Sequence, residues 1–277
     1  MIDFWNALCD PDNEFLRLAF YVGTIASFSF GIIGTYVITR RISYLAGAIS
    51  HSVFGGIGAG LWLQKRVGLI WFDPIYSALI SAILSALIIG LVSLYAKQRE
   101  DTAIVAVWAV GMAAGLLFID FTPGYFDITS YLFGDILLIS KKDLWMVFCL
   151  DIIVVGLTIC FYNKLLAVCF DDEFALLRGI HVGVFYIFLL CITSLTVVLL
   201  IRVVGIVMVI ALLTLPSAIA GLFAKRLWHM MVFSILFCAF FIWIGLGFSY
   251  TYKLSSGPTI IIIAGITYLL ICLLYTS

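Results

Sequence analysis

Apolar residues in this chain come in runs too long for strands and too unbroken for helices with one wet face. About nine such runs follow one another, near 15–39, 44–63, 75–96, 102–120, 143–163, 184–201, 204–223, 229–250 and 257–275. Some 20 apolar residues wound as a helix cross the roughly 30 Å hydrocarbon core of a bilayer. Short polar stretches punctuate the runs: Arg40-Arg41, Gln64-Lys65-Arg66, Lys97 to Asp101, Lys141-Lys142-Asp143 and Lys225-Arg226, with a very short turn at Arg202. The pattern predicts an all-α polytopic membrane protein. Its eight to nine transmembrane helices form one bundle, a single transmembrane domain over 1–277. A membrane β-barrel would show short alternating segments instead, and none is present.

Small residues recur at helix-packing spacing. Gly56 and Gly60 form one GxxxG pair and Gly111 and Gly115 another; lipid offers no hydrophobic drive between helices, so close backbone approach has to supply the attraction. Packing inside one bundle is expected for both pairs rather than a seam between copies. Pro216, inside "ALLTLPSAIAG", is expected to kink its helix and free a carbonyl, with Thr214 and Ser217 at hand to compensate.

Composition agrees with the pattern: 65% of residues are hydrophobic and 11% charged, and mean hydropathy is +1.24. The formal net charge is +0, which offers nothing to a nucleic acid. The N-terminus carries Asp3, Asp10, Asp12 and Glu14 where a cleaved signal peptide wants a basic start. The seven cysteines are scattered without a CxxC or Cys/His cluster and read as small packing residues. There is no P-loop, HExxH or GxSxG motif. Asp151 is the one acid well inside a run, fewer buried ionisable groups than an ion-coupled carrier needs. If the chain pumps a solute, one this sparse takes its energy from a partner, and no paired catalytic groups face each other on its expected helices to make it an enzyme itself.

Lys and Arg counts barely orient the chain. With the N-terminus outside, the inner loops hold eight (Arg40, Arg41, Lys97, Arg99, Lys164, Arg178, Lys225, Arg226). The outer side holds seven (Arg17, Lys65, Arg66, Lys141, Lys142, Arg202, Lys253).

Two longer linkers carry distinctive chemistry. In 164–183, Asp171, Asp172 and Glu173 open a short helix whose N-terminus favours negative charge. Phe174, Leu176 and Leu177 give it an apolar side, and Gly179 is placed to stop it. Such a helix either seats in a groove of a soluble partner or lies as an interfacial turn. The other linker, 121–142, contains Asp127 and Asp135.

Several stretches together resemble the membrane permeases of bacterial ABC importers for zinc, manganese and iron(II). They are "GIIGTYVITRRISYLAGAISHSVFGGIGAG" (31–60), "EDTAIVAVWAVGMAAGLL" (100–117), "YLFGDILLIS" (131–140), "DDEFALLRGIHVG" (171–183), "RVVGIVMVIALLTLPSAIAGLFAKRL" (202–227) and "LSSGPTIIII" (254–263). Six in the expected order span nearly the whole chain. The resemblance implies a type II importer permease in the bacterial cytoplasmic membrane, working as a homodimer or beside a paralogous permease. It also implies a cytoplasmic ATPase pair and an extracytoplasmic metal-binding protein as partners. The divalent metal would be cargo, and no permanently bound cofactor is expected. The stretch Asp171, Asp172, Glu173, Phe174, Leu177 and Gly179 would then couple to the ATPase, which puts 164–183 in the cytoplasm.

His51 is the residue this resemblance singles out. Imidazole is a common ligand of transition ions. In the resembled family an Asp stands four residues earlier, on the same helical face; here that position is Gly47. Three expectations follow: an ion held loosely by His51 from two copies, with Ser50, Ser43 or water; a compensating acid at Asp120, Asp127 or Asp135; or a cargo unlike the family norm. Otherwise His51 is a packing residue bonded to a backbone carbonyl. Asp135 would contact the delivery protein, line the mouth of the path or cap a helix. His181 and His229 read as interfacial polar residues. A permease for an organic cargo, such as a metal chelate or vitamin, is the alternative function, and the 16% aromatic content permits its wider lining.

Overall fold

A computed structural model describes residues 2–10, 13–69, 72–95, 100–124, 132–134 and 139–276. The helices among them are α1 (Ile2–Cys9), α2 (Glu14–Thr39), α3 (Ser43–Lys65), α4 (Pro74–Tyr95), α5 (Glu100–Asp120), α6 (Lys141–Phe170), α7 (Asp172–Leu177), α8 (Val182–Val204), α9 (Ile206–Phe223), α10 (Leu227–Tyr252) and α11 (Ser256–Thr276). All nine expected spans are present, as α2 to α6 and α8 to α11. Eight are long and apolar enough to cross a membrane; α3 is the exception. Its 23 residues reach about 35 Å, ample for a bilayer. What lowers its hydropathy is glycine, serine and His51, and this helix is nevertheless buried along most of Leu45–Leu61. A span shielded from lipid by other helices has no need of a greasy surface.

Two boundaries differ from expectation. A short helix, α1, precedes the first span and packs Phe4 edge-on against Tyr250. α6 continues to Phe170, well past 163, because Lys164, Leu165, Leu166 and Ala167 are good helix formers. The Lys164 ammonium also lies 5.3 Å from the Phe185 ring centroid, where a cation is favoured.

The chain folds as two compact units. The first comprises Met1–Arg41, Thr129–Cys160 and Leu199–Ser277. Within it, α2 packs on α10 and α9, with Gly31 against the Ile235 backbone and Gly34 against the Leu213 carbonyl. Pro216 lies inside α9. The Thr214 hydroxyl donates to the Ile210 carbonyl at 2.8 Å and that of Ser217 pairs with Ser234 at 2.6 Å, so neither compensates the carbonyl that Pro216 frees. Asp151 of α6 accepts at Oδ1 from the Ser29 amide, 3.1 Å, and from the Ser29 hydroxyl. Its Oδ2 is buried without a hydrogen-bond partner.

Three of the stretches quoted above converge in this unit. Gly134 (φ +64°) and Gly205 (φ +80°) meet backbone to backbone: a Cβ on Gly134 would stand 2.6 Å from the Gly205 nitrogen. Gly257 packs against the carbonyl oxygen of Phe133. Any side chain at 134 or 205 would meet both a disfavoured φ and a backbone wall.

The second unit comprises Ile42–Ile128 and Phe161–Val198. Both GxxxG pairs pack inside it. Gly56 and Gly60 receive Ser81, Ser77 and Pro74 of α4, while Gly111 and Gly115 face α3.

Candidate metal path and coupling helix

The α3–α5 contact is glycine on glycine. A Cβ on Gly55 would stand 2.7 Å from the Gly111 carbonyl oxygen, and one on Gly58 2.7 Å from that of Gly115. Partner numbers rise together, so the two helices run parallel with backbones in near contact. Beside these contacts, two i, i+4 pairs confront each other: Gly47 and His51 on α3, Trp108 and Met112 on α5. The His51 ring stacks on the Trp108 indole, with centroids 4.8 Å apart and planes 16° apart. His51 Nδ1 lies 3.1 Å from Met112 Sδ. A Cβ on Gly47 would come within 2.8 Å of indole carbon Cζ3. Trp108 therefore fills the room over Gly47 and braces the imidazole from one side.

This arrangement bears on the residues singled out in the sequence. His51 is half-buried, as a path residue should be, but Nδ1 faces a thioether sulfur rather than a backbone carbonyl. The place of a carboxylate at 47 is taken by an indole. Of the three acids considered, Asp120 is exposed at the end of α5, eight residues or about 12 Å along the helix beyond Met112. Asp127 and Asp135 lie outside the described residues. Among the described residues no group of three or more His, Cys, Asp and Glu could hold an ion. Ser43, at the start of α3, is also about 12 Å from His51 along the helix. Ser50 adjoins His51, but successive helical residues point about 100° apart, and the Ser50 hydroxyl is buried without a hydrogen-bond partner. His181 is exposed before α8, and His229 sits beside the Trp228 ring at the start of α10.

Trp108 and Met112 were missed from sequence. The signal that could have found them is the spacing they share with Gly47 and His51, next to a GxxxG pair that had to face some neighbouring helix.

The stretch from Asp171 to Gly179 is built as its residues predict. Asp171, extended at φ −153°, caps α7 by accepting from the Glu173 and Phe174 amides at 2.9 and 3.1 Å. Asp172 and Glu173 occupy the first turn. Gly179, at φ +72°, ends the helix: its amide bonds the Leu176 carbonyl, and the Ile180 amide bonds that of Ala175. This paired closure satisfies the last carbonyls and needs a residue at ease with positive φ. Ala175 turns inward, whereas Phe174, Leu176 and Leu177 stand exposed, Leu177 at 88%. Arg178 lies over the Phe174 ring, 4.7 Å from its centroid. The result is an exposed apolar knob on a short, capped helix.

A family profile described as the ABC 3 transport family matches residues 12–275. The chain belongs to the ABC 3 transport family. The ABC 3 chain is 37% identical over 93% of its length to an uncharacterized membrane protein of Synechocystis, covering 89% of it. It is 32% identical over 92% of its length to the manganese transport system membrane protein MntC of Listeria monocytogenes, again covering 89%. Among solved structures it resembles PsaBC from Streptococcus pneumoniae in complex with Fab, at 26% identity and a TM-score of 0.84, covering 98% of this chain and 95% of that one. Membership agrees with the all-helical, multi-pass membrane architecture and makes this a permease subunit rather than an enzyme.

Proposed function

We propose that this ABC 3 permease carries a metal ion across the cytoplasmic membrane past His51. It works with a separate cytoplasmic ATPase, an extracytoplasmic metal-binding protein and a second copy of itself. The observation that carries this reading is His51 itself: a half-buried imidazole inside a span, turned to a soft donor and held in place by an indole. A polar side chain at that depth is costly unless it is used. The manganese transport named for the MntC relatives supports a metal as cargo. α7 supplies the coupling: its exposed Phe174 and Leu177 seat in a groove of the ATPase, oriented by the Asp171 cap and the Gly179 stop, with Asp172 and Glu173 at its rim. Ion affinity is left to the delivery protein, since a permease has to release what it accepts.

The test is metal content. The permease, its ATPase and its binding protein are expressed together in cells lacking their own importers, and metals are measured by mass spectrometry. A rise in one transition metal that requires all three components is expected. Unchanged metal content, with uptake of an organic chelate or vitamin instead, would refute the reading.

A further inference from the structure

Met112 has no part in the function as stated, yet its sulfur is the nearest polar partner of His51. We propose that His51 Nδ1 and Met112 Sδ are paired donors to the transported ion, and that the pair selects a d¹⁰ borderline-to-soft cation, Zn²⁺ or Cu⁺, over Mn²⁺. This rests on the metal-permease reading and adds the cargo class and a second ligand.

Distance is the first argument. Metal–nitrogen bonds of about 2.0–2.1 Å and metal–sulfur bonds of about 2.3 Å at the tetrahedral angle zinc takes put the two donors about 3.6 Å apart. The observed separation is 3.1 Å, so the two donors need part by only about 0.5 Å to receive an ion between them, within reach of a rotation of the flexible Met112 side chain. The second argument is donor type. Thioether sulfur suits soft ions and imidazole suits zinc and copper, whereas manganese favours carboxylate, carbonyl and water oxygens. α3 carries no Asp or Glu, and the acids of α5 stand at its ends, Glu100, Asp101 and Asp120. Hard anionic oxygen is thus missing from both helices at this level. The third argument is how the pair is held. Trp108 stacks on the imidazole and can do so because Gly47 leaves space for the indole. Gly111, beside Met112, abuts the Ser52 backbone, which sets how closely the two donors approach. Two neutral donors bind an ion weakly, as a site that must pass its cargo on requires.

The test uses the full chain in lipid nanodiscs, titrated by calorimetry with Zn²⁺, Mn²⁺ and Ag⁺ (a redox-inert substitute for Cu⁺), with X-ray absorption at the zinc edge. Zn²⁺ and Ag⁺ are expected to bind the wild type at least about tenfold more tightly than Mn²⁺. The zinc spectrum should contain a sulfur neighbour at about 2.3 Å. Met112→Leu, close in volume and compatible with folding, should remove that sulfur and weaken Zn²⁺ about tenfold while leaving Mn²⁺ unchanged. Gel filtration confirms that the variant is folded. The proposal is overturned if Met112→Leu keeps both the sulfur neighbour and the Zn²⁺ affinity, or if the wild type binds Mn²⁺ as tightly as Zn²⁺. Cellular metal uptake separates the two levels. Uptake that needs His51 but not Met112 overturns the donor pair alone, whereas uptake indifferent to His51→Ala overturns the metal path beneath it.

Discussion

Trp108 occupies the space into which a side chain at Gly47 would grow: a Cβ there would stand 2.8 Å from the indole. An aspartate introduced at 47 to pair with His51 across one helical turn would first have to displace that ring. Gly47→Asp alone is therefore expected to cost about 1–3 kcal/mol through overpacking, seen as a lower thermal midpoint in detergent, with no gain in metal affinity. Trp108→Ala on the same background opens the space. The double variant should gain affinity for Mn²⁺, because a charged oxygen then joins the nitrogen. Calorimetry on both variants checks this, and tighter metal binding by Gly47→Asp alone would contradict it.

α7 is expected to fail in two separable ways. Phe174→Asp puts a charge on the exposed apolar knob without disturbing its cap, so ATP hydrolysis should continue while uptake stops. Gly179→Val forces a β-branched residue to φ +72°, a strain of about 1–2 kcal/mol, and should misplace the helix with the same loss of coupling. Hydrolysis and uptake measured together on reconstituted complexes decide it; normal uptake in both variants would remove α7 from the coupling role.

Much of this architecture was legible before any coordinates. Lipid demands long apolar helices with internally satisfied backbones, so every span showed in the hydropathy pattern, and the local rules of capping read α7 correctly from Asp171 to Gly179. What lay beyond the sequence is tertiary. Nothing local states that Trp108 and Met112 lie opposite Gly47 and His51, because which glycine pairs with which depends on how helices far apart in the chain pack. The 121–142 stretch read as a linker, yet Phe133 and Gly134 within it seat against Val204, Gly205 and Gly257. Pro216 drew attention to Thr214 and Ser217, but those hydroxyls had other partners within reach.

The Ser29–Asp151 pair gives a stability prediction. Ser29→Ala withdraws the hydroxyl donor from a carboxylate only 7% exposed. The expected loss is about 1–3 kcal/mol, the cost of a buried polar group left short of partners. Adding Asp151→Leu removes the orphaned group and should restore most of the stability, as apolar replacement of both partners often does. Thermal unfolding of the two variants measures this, and a double variant less stable than Ser29→Ala would point to a working role for Asp151.

Orientation can be read by cysteine labelling. The N-terminus and the 121–142 linker are expected outside, and the 164–183 segment and the C-terminus inside. A cysteine at 172 should react with an impermeant reagent only from the cytoplasmic side; labelling from outside would reverse the orientation and the coupling assignment together.

The most direct measurement is ATP-driven zinc uptake into proteoliposomes holding the permease, its ATPase and the loaded binding protein, with wild type and His51→Ala side by side. Alanine keeps the helix intact. The expected result is a fall in uptake of roughly tenfold or more, with ATP hydrolysis and folded protein retained. Uptake at the wild-type rate by His51→Ala would contradict the account and leave His51 a packing residue.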